Sequence, residues 1–437
     1  MNIATHTLGC KLNFAETSHL QRQFAQDGFN IVPFHEKADF YVINTCTVTS
    51  VAEKKCRNAI RQAIALNPNA IIAVIGCFAQ NDAAQIAAIP GVSIILGNDQ
   101  KHLLPQYLSQ YLRLGSATAP LINTDEPRSF QLSYSGGDRT RTFFKIQDGC
   151  DYFCTYCAIP FARGRSRSAT IAETIEMARE IAATGTREVV LTGVNTGTFG
   201  LHNGESFIDL LRELDKVDGI LRYRISSIEP NLITDEIIDF VASSRAFLPH
   251  FHIPLQAGSD KVLKMMHRHY DTSLYANKLE HIKAVMPHAC IAADVITGFN
   301  GEDDESFAQS KAFIQSLPIS YLHVFPYSDR PNTMALKMPE KVAVPVRKAR
   351  CQELLALSDQ KRHAFIQSQM GTVRPVLWEH TPHQHQGTAM MQGWTDNYIR
   401  LQRPFDPALA GCVTPWEVSI STIVENISGR HKVKRKA

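Results

Sequence analysis

The chain alternates short apolar runs with longer stretches in which apolar residues recur every three or four positions. NIATHTL, ADFYVINT, AIIAVIG and VSIILG have the length and content of strands. AETSHLQRQFAQDG and SVAEKKCRNAIRQAIALNP have helical spacing and are closed by Gly28 and by Asn67-Pro68. Strands alternating with helices predict a parallel sheet covered on both faces. Periodicity is lost over 116–138, where Ser, Pro and Gly accumulate, and this stretch reads as a linker. Alternation then resumes. RTFFKIQ, REVVLTGV, YRISSI, HFHIPL, CIAADVITGF and YLHVFPY are strand candidates separated by helical stretches such as TIAETIEMAREIAATG. Six βα units in series predict a full or partial β/α barrel. Residues 340–369 read as a long charged helix that connects domains. Beyond Gly371 the runs TVRPVLWE, GTAMMQGW, YIRLQ and CVTPWEVSIS predict a small all-β barrel. The expected class is α/β, with a parallel α/β domain at 1–115, a linker at 116–138, a barrel at 139–369 and a β domain at 370–434.

Composition narrows the setting. The 437 residues are 44% hydrophobic and 20% charged, and the net charge is +3, so a polyanionic partner is permitted but not demanded. The N-terminus shows no basic region followed by an apolar core, and the longest apolar stretch, NAIIAVIGCFA, is too short to span a bilayer. These features predict a cytoplasmic protein with no membrane partner. Ten cysteines in a reducing compartment are then buried, catalytic or metal-bound rather than disulfide-linked.

Their positions separate them. Cys150, Cys154 and Cys157 form a C-x-x-x-C-x-x-C set directly after the first barrel strand, where barrel active sites form. Three thiolates on one loop can surround one metal centre. A zinc site wants a fourth protein ligand, which the flanking residues do not offer, whereas three ligands suit a 4Fe-4S cluster with one iron open. Cys10, Cys46 and Cys77 each follow an apolar strand run: THTLG, VINT and AVIG. Parallel strands carry their C-terminal ends to one sheet edge, so these three converge on one crevice. Each alone is equally well a small buried apolar residue. Cys56, Cys290, Cys351 and Cys412 lack this equivalence and read as structural.

The C-x-x-x-C-x-x-C loop resembles the signature of the radical S-adenosylmethionine enzymes. Together with three strand-end cysteines before it and a β domain after it, the chain resembles the methylthiotransferases of that superfamily over nearly its whole length. The resemblance implies two 4Fe-4S clusters. One is held by Cys150, Cys154 and Cys157 and chelates S-adenosylmethionine; the other is held by Cys10, Cys46 and Cys77 and carries the sulfur to be transferred. It implies a C-terminal RNA-binding domain of the TRAM type. Within the family TLGCKLN, VINTCTVTSVAEKK, CTYCAIPFARGRSRS and HVFPYSDRPNTMA resemble the branch that adds a methylthio group at C2 of N6-threonylcarbamoyladenosine, next to the tRNA anticodon. Lys11-Leu12-Asn13 stands where other branches have Gln-Met-Asn-like or Pro-Lys-Asn sequences. The same chemistry on another tRNA adenosine or on a ribosomal protein aspartate is the alternative, and an iron–sulfur RNA-binding protein without catalysis is the alternative of another class. Implied partners are tRNA, a sulfur donor and an electron donor such as a flavodoxin or ferredoxin.

Several strand-end residues are candidates for cofactor contact: Gly193 and Asn195 in LTGVNTGTFG, Ser227 and Glu229 in RISSIEP, Gln256 in HIPLQAGSD and Gly298 in DVITGFNGED. An ordinary βα turn accounts for each of them as well. Arg163, Arg165 and Arg167 beside the cluster loop suit phosphate or carboxylate recognition, or form a solvated basic loop. Trp378, Trp394 and Tyr398 are candidates for base stacking, at least one of them core, and the tail GRHKVKRKA for salt-dependent RNA affinity.

Overall fold

A computed structural model describes residues 1–114, 119–136, 140–385 and 387–424. The first third is one parallel sheet. Its strands are β1 (Asn2–Thr7), β2 (Asn30–Val32), β3 (Phe40–Thr45), β4 (Ile71–Gly76), β5 (Ile94–Leu96) and β6 (Leu121–Asn123), in the order β2-β1-β3-β4-β5-β6. Along β3, Phe40 and Val42 face one core with Leu20, Phe24 and Ile75, while Tyr41 and Ile43 face the other with Ile60, Ile72 and Val74. This period-two division explains why the central strands read as unbroken apolar runs: both faces are covered. Each fully buried side chain of this kind stabilises the fold by about 1.5–3 kcal/mol.

Helix α1 (Lys11–Gln26) begins at Lys11, earlier than the Ala15 that its apolar spacing suggested. No side chain caps the helix at Cys10 and its first turn has no acidic residue, so the pattern gives no start signal. Helix α2 (Ser50–Leu66) starts where Thr49 accepts the Ala52 amide, and α3 (Cys77–Asn81) starts at a cysteine.

The central part curves six parallel strands into a partial barrel. β7 (Ser133–Tyr134) lies antiparallel on the edge of β8 (Arg141–Lys145), and β9 (Gln147–Asp148) pairs with β10 (Arg167–Ser168) to clamp the ends of the cysteine loop. β11 (Glu188–Thr192), β12 (Arg222–Ile225), β13 (His250–His252), β14 (Cys290–Thr297) and β15 (Tyr321–Pro326) follow β8 in order around the sheet, the gap between β12 and β13 being closed by single bridges at Tyr223–Phe247 and Ser227–His252. Helices cover the outside; Ile175, Ala178 and Ile181 of Ile171–Ala183 and Leu210, Leu211 and Leu214 of Phe207–Asp215 point at the strands.

The 25-residue helix Val344–Ser368 packs Cys351, Leu354 and Leu357 onto the barrel and leads into the last sheet. That sheet is antiparallel: β16 (Val373–Trp378), β17 (His383–His385), β18 (Thr388–Thr395), β19 (Arg400–Pro404) and β20 (Val413–Glu417), ordered β17-β18-β16-β20 with β19 on β18. It sits on the N-terminal ends of the barrel strands. Arg222 donates to the Trp394 carbonyl (3.1 Å), and Arg224 donates to those of Thr395 and Asp396 (both 2.8 Å).

The segment read as a linker does more than connect. β6 extends the first sheet and β7 the barrel sheet, both too short for periodicity to reveal. The rings of the β domain are also spent differently. Trp378 is buried in its core, Trp394 stacks on Tyr398 (4.5 Å), and Tyr398 stacks on His250 of the barrel (4.3 Å). These rings join domains and are not free platforms for bases. The basic tail lies outside the described residues. Among the described residues no helix is long and apolar enough to cross a membrane.

Candidate active site between two sheet edges

Cys10, Cys46 and Cys77 stand at the C-terminal ends of β1, β3 and β4, which are neighbours in the sheet. Left-handed glycines turn two of these ends. Gly9 (φ +103°) lies so close to Cys46 that a Cβ there would sit 2.8 Å from Cys46 Cβ and 3.1 Å from its Sγ. Gly76 (φ +94°) leaves no room for a side chain against Asn44 and directs Cys77 into α3. Cys46 is backed by Cys56, which accepts its amide (3.4 Å) and donates to its carbonyl (3.6 Å). Asn98 Nδ2 donates to Cys77 Sγ (3.6 Å), and the Cys10 thiol donates to Asn13 Oδ1 (3.8 Å). Burial first and the neighbouring thiols second push Cys46 up to about 12. Cys10 is raised by burial and by Cys77, against the opposing pull of Arg163.

Cys150, Cys154 and Cys157 occupy the loop between β9 and the short helix Ile159–Arg163. The loop is pinned from three sides: Cys150 N–H donates to the Gly164 carbonyl (3.0 Å), Thr155 Oγ1 to that of Met265 (2.9 Å), and Ala335 N–H to that of Thr155 (2.8 Å). Burial pushes Cys150 and Cys157 up to about 12. Arg268 donates to Cys154 Sγ (2.8 Å) and to the Glu229 carboxylate, which burial raises despite that cation.

Burial and, in part, mutual repulsion oppose ionisation of Cys10, Cys46, Cys150, Cys154 and Cys157. Such donor sets are completed by a centre of positive charge. One zinc ion would draw its sulfurs to within about 4 Å of one another. Among the described residues the only three ligand atoms lying within 4.8 Å of one another are those of His252, Asp294 and His323. The wider spacing of both cysteine triads suits a polynuclear cluster rather than a single ion.

A cavity of about 240 Å³ opens beside Cys157, lined by Val48 and Thr49 of the segment after Cys46 and by Gln256, Asp294 and Tyr327 of the barrel. Asn195 is 2% exposed, and neither of its amide atoms has a partner. The Ser226 hydroxyl is likewise buried and unpaired. Gly193 is needed where the Gln147 carboxamide crosses the strand end; a Cβ would lie 2.8 Å from its oxygen, which accepts the Asn195 backbone N–H (2.9 Å). The Ser227 carbonyl accepts the Thr196 hydroxyl (2.9 Å). Gln256 is held at φ +63° with its backbone bonded to Asp294 and Ile296. The Gly298 amide donates to Glu302, and a Cβ there would strike Arg347 of the long helix at 2.4 Å.

A buried charge network locks the two triads together. Glu16 of α1 accepts from Lys101 (2.5 Å) and Lys145 (2.9 Å). Arg163 donates to Asp148 (2.9 and 3.0 Å), Glu16 (3.2 Å) and Asn13 (2.6 Å). Lys101 also donates to Asn98 Oδ1 (2.7 Å), the residue that touches Cys77 and the Ala162 carbonyl. Burial works against both carboxylates, but Arg163 and the lysines hold Glu16 and Asp148 well below the usual range. Burial brings Lys101 down to about 8, with Glu16 opposing. Arg163 is 1% exposed and therefore not open to RNA. Arg167 is tied to the carbonyls of Ser129, Arg163 and Arg165, while Arg165 is exposed beside Phe153. Sequence reasoning missed Glu16, Asn98, Lys101, Lys145, Asp148 and Arg268. Only Glu16 had a signal, as a carboxylate on the buried face of α1.

Residues 2–97 match the profile of a family described as uncharacterized protein family UPF0004, and residues 144–314 that of the radical SAM superfamily. The threonylcarbamoyladenosine tRNA methylthiotransferase MtaB of Bacillus subtilis is 41% identical over 91% of this chain and 89% of its own. That of Aquifex aeolicus is 37% identical over 92% and 97%. A tRNA-2-methylthio-N(6)-dimethylallyladenosine synthase of Nitratidesulfovibrio vulgaris is 31% identical over 85% of each chain. The radical S-adenosylmethionine methyltransferase TsrM of Kitasatospora setae shares the fold, with a TM-score of 0.56, 14% identity and 77% of each chain covered. With two cysteine triads joined by one buried network and relatives matched over most of its length, the chain belongs to the radical S-adenosylmethionine methylthiotransferase family and is a transferase.

Proposed function

We propose that this protein adds a methylthio group at C2 of N6-threonylcarbamoyladenosine beside the tRNA anticodon. The observation that carries the reading is the buried network that ties the loop of one cysteine triad to the sheet edge of the other, through Arg163 on Asn13 and Asn98 on both Cys77 and the Ala162 carbonyl. The names of the relatives at 41% and 37% identity support the substrate.

The family's cofactors, two 4Fe-4S clusters and S-adenosylmethionine, fit the residues present. Cys150, Cys154 and Cys157 would hold the cluster that takes S-adenosylmethionine, and Cys10, Cys46 and Cys77 the sulfur-bearing one. When bound, these groups supply one-electron cleavage, a methyl group and sulfur, because an aromatic C–H is too inert for polar chemistry. The protein's own residues orient and exclude. Arg268 delivers positive charge to Cys154 and keeps Glu229 aligned at the strand end. The unpaired Asn195 amide and Ser226 hydroxyl provide donors and acceptors that a polar cofactor would satisfy. Gln256, Ser227 and Gly193 line or shape the same strand ends. Gly298 serves helix packing. tRNA, a sulfur donor and a flavodoxin- or ferredoxin-like electron donor are the partners, and the C-terminal β domain is the expected RNA contact.

Mass spectrometry of tRNA nucleosides from a deletion strain tests the reading. Loss of 2-methylthio-N6-threonylcarbamoyladenosine, restored by the wild-type gene, is expected. Loss of the methylthio group from a dimethylallyl-modified adenosine instead would overturn the substrate.

A further inference from the structure

Three adjacent barrel strands bring two imidazoles and a carboxylate together. His252 ends β13, Asp294 lies within β14 and His323 within β15. The ladder pairs Asp294 with His323 and sets His252 opposite Ala292, two residues before Asp294 on the same face. Ile296 and Phe325 stand two residues further along β14 and β15, so the period of two gives them the faces of Asp294 and His323. With Asp294 they line the cavity beside Cys157. Paired strands rather than a loop therefore fix the three side chains at the cavity wall.

One ligand atom from each of these residues lies within 4.8 Å of the other two. His252 Nε2 is 2.8 Å from Asp294 Oδ1. Ligands about 2.1 Å from a metal and at right angles stand about 3 Å apart, so this pair already has the spacing of one edge of a coordination shell. A hydrogen bond between His252 and Asp294 accounts for two members of the group and leaves the third unexplained. The His323 ring touches the rings of His252 (5.5 Å between centroids) and Tyr321 (5.3 Å), and no hydrogen bond holds it among the described residues.

We infer that His252, Asp294 and His323 bind a divalent transition-metal ion, in a site that uses none of the cluster cysteines. Two imidazoles and one carboxylate suit zinc, iron(II) or cobalt(II). The absence of a thiolate from the set sets it apart from both triads, and its two nitrogens set it apart from the all-oxygen shells of calcium and magnesium. Three protein ligands leave coordination positions open, the pattern of reactive rather than closed structural sites. Asp294 lies on the cavity wall, so an oxygen or nitrogen of a molecule bound there would complete the shell. The site does not depend on which nucleoside is modified.

The test uses the full-length protein with both clusters reconstituted and oxidised, and Co(II) alone as the probe. Oxidised four-iron clusters carry no electron paramagnetic resonance signal, whereas high-spin Co(II) does. After desalting, wild type is expected to retain about one Co(II) per chain, with pulsed spectra showing coupling to imidazole nitrogen. His323→Ala, at an exposed position, should lose that ion while its iron content stays that of wild type. Cys412→Ser removes an exposed cysteine outside both triads and should keep the cobalt. Should His323→Ala not fold, His323→Phe keeps a ring against His252 and Tyr321 and decides in its place. No retained cobalt in wild type, cobalt without nitrogen coupling, or equal retention by the His323 variant overturns the inference while the family assignment stands.

Discussion

Arg163→Met tests whether the charge network is what holds the two halves of the active site together. The arginine is 1% exposed and makes five hydrogen bonds, two to Asp148, two to Glu16 and one to Asn13. Removing one partner of a buried, hydrogen-bonded ion pair costs about 3–5 kcal/mol. The lower end applies, because Lys145 still reaches both carboxylates (2.9 and 2.7 Å) and Lys101 still reaches Glu16 (2.5 Å). A loss of about 3 kcal/mol corresponds to a fall in Tm of about 6–12 °C at 2–4 °C per kcal/mol. Near-UV circular dichroism melts under anaerobic conditions provide the measurement. Arg165→Met is the control: that side chain is exposed, so its loss should cost less than about 1 kcal/mol. The reasoning is refuted if the two variants melt together. The same network sets an acid limit. Glu16 and Asp148 are depressed from ordinary values of 4.5 and 3.8, so their stabilisation is fully present above pH 4.5 and drains away as pH falls toward their folded values. Arg163→Met should flatten that acid dependence.

Three further outcomes follow from the site. Replacing Cys10, Cys46 and Cys77 together by alanine should reduce iron from about eight to about four per chain while leaving S-adenosylmethionine cleavage, and should abolish methylthiolation; tRNA modification by the triple variant would sink the second-cluster assignment. Gly9→Ala should lose the same irons selectively, since its Cβ would stand 2.8 Å from Cys46 Cβ at φ +103°; full iron content would show that the close approach is not needed. Asn195→Leu removes two buried unpaired polar atoms and should leave the apo-protein Tm unchanged or higher, while weakening S-adenosylmethionine binding about tenfold by calorimetry; unchanged binding would remove Asn195 from the cofactor site.

What the sequence disclosed was local and repeated. Three cysteines after three apolar runs form a one-dimensional pattern, and a parallel sheet turns it directly into a shared edge. The C-x-x-x-C-x-x-C loop carries its meaning within eight residues. The side chains that set the distance between the centres have no such pattern. Glu16 and Arg163 are 147 residues apart, Asn13 and Arg163 150, and Cys154 and Arg268 114. Adjacency to the cluster loop made Arg163 resemble a surface contact, because proximity along the chain does not reveal which way a side chain points. Trp394 and Tyr398 resembled base platforms for the same reason; Tyr398 stacks on His250 and Trp394 on Tyr398 instead. The physical division is that strand ends and loops assemble the metal-binding chemistry, whereas long-range ion pairs assemble its alignment. A two-centre enzyme needs both, so residues that touch neither substrate nor cluster, Glu16 and Arg163 first among them, should limit transfer between the centres before they limit chemistry at either one.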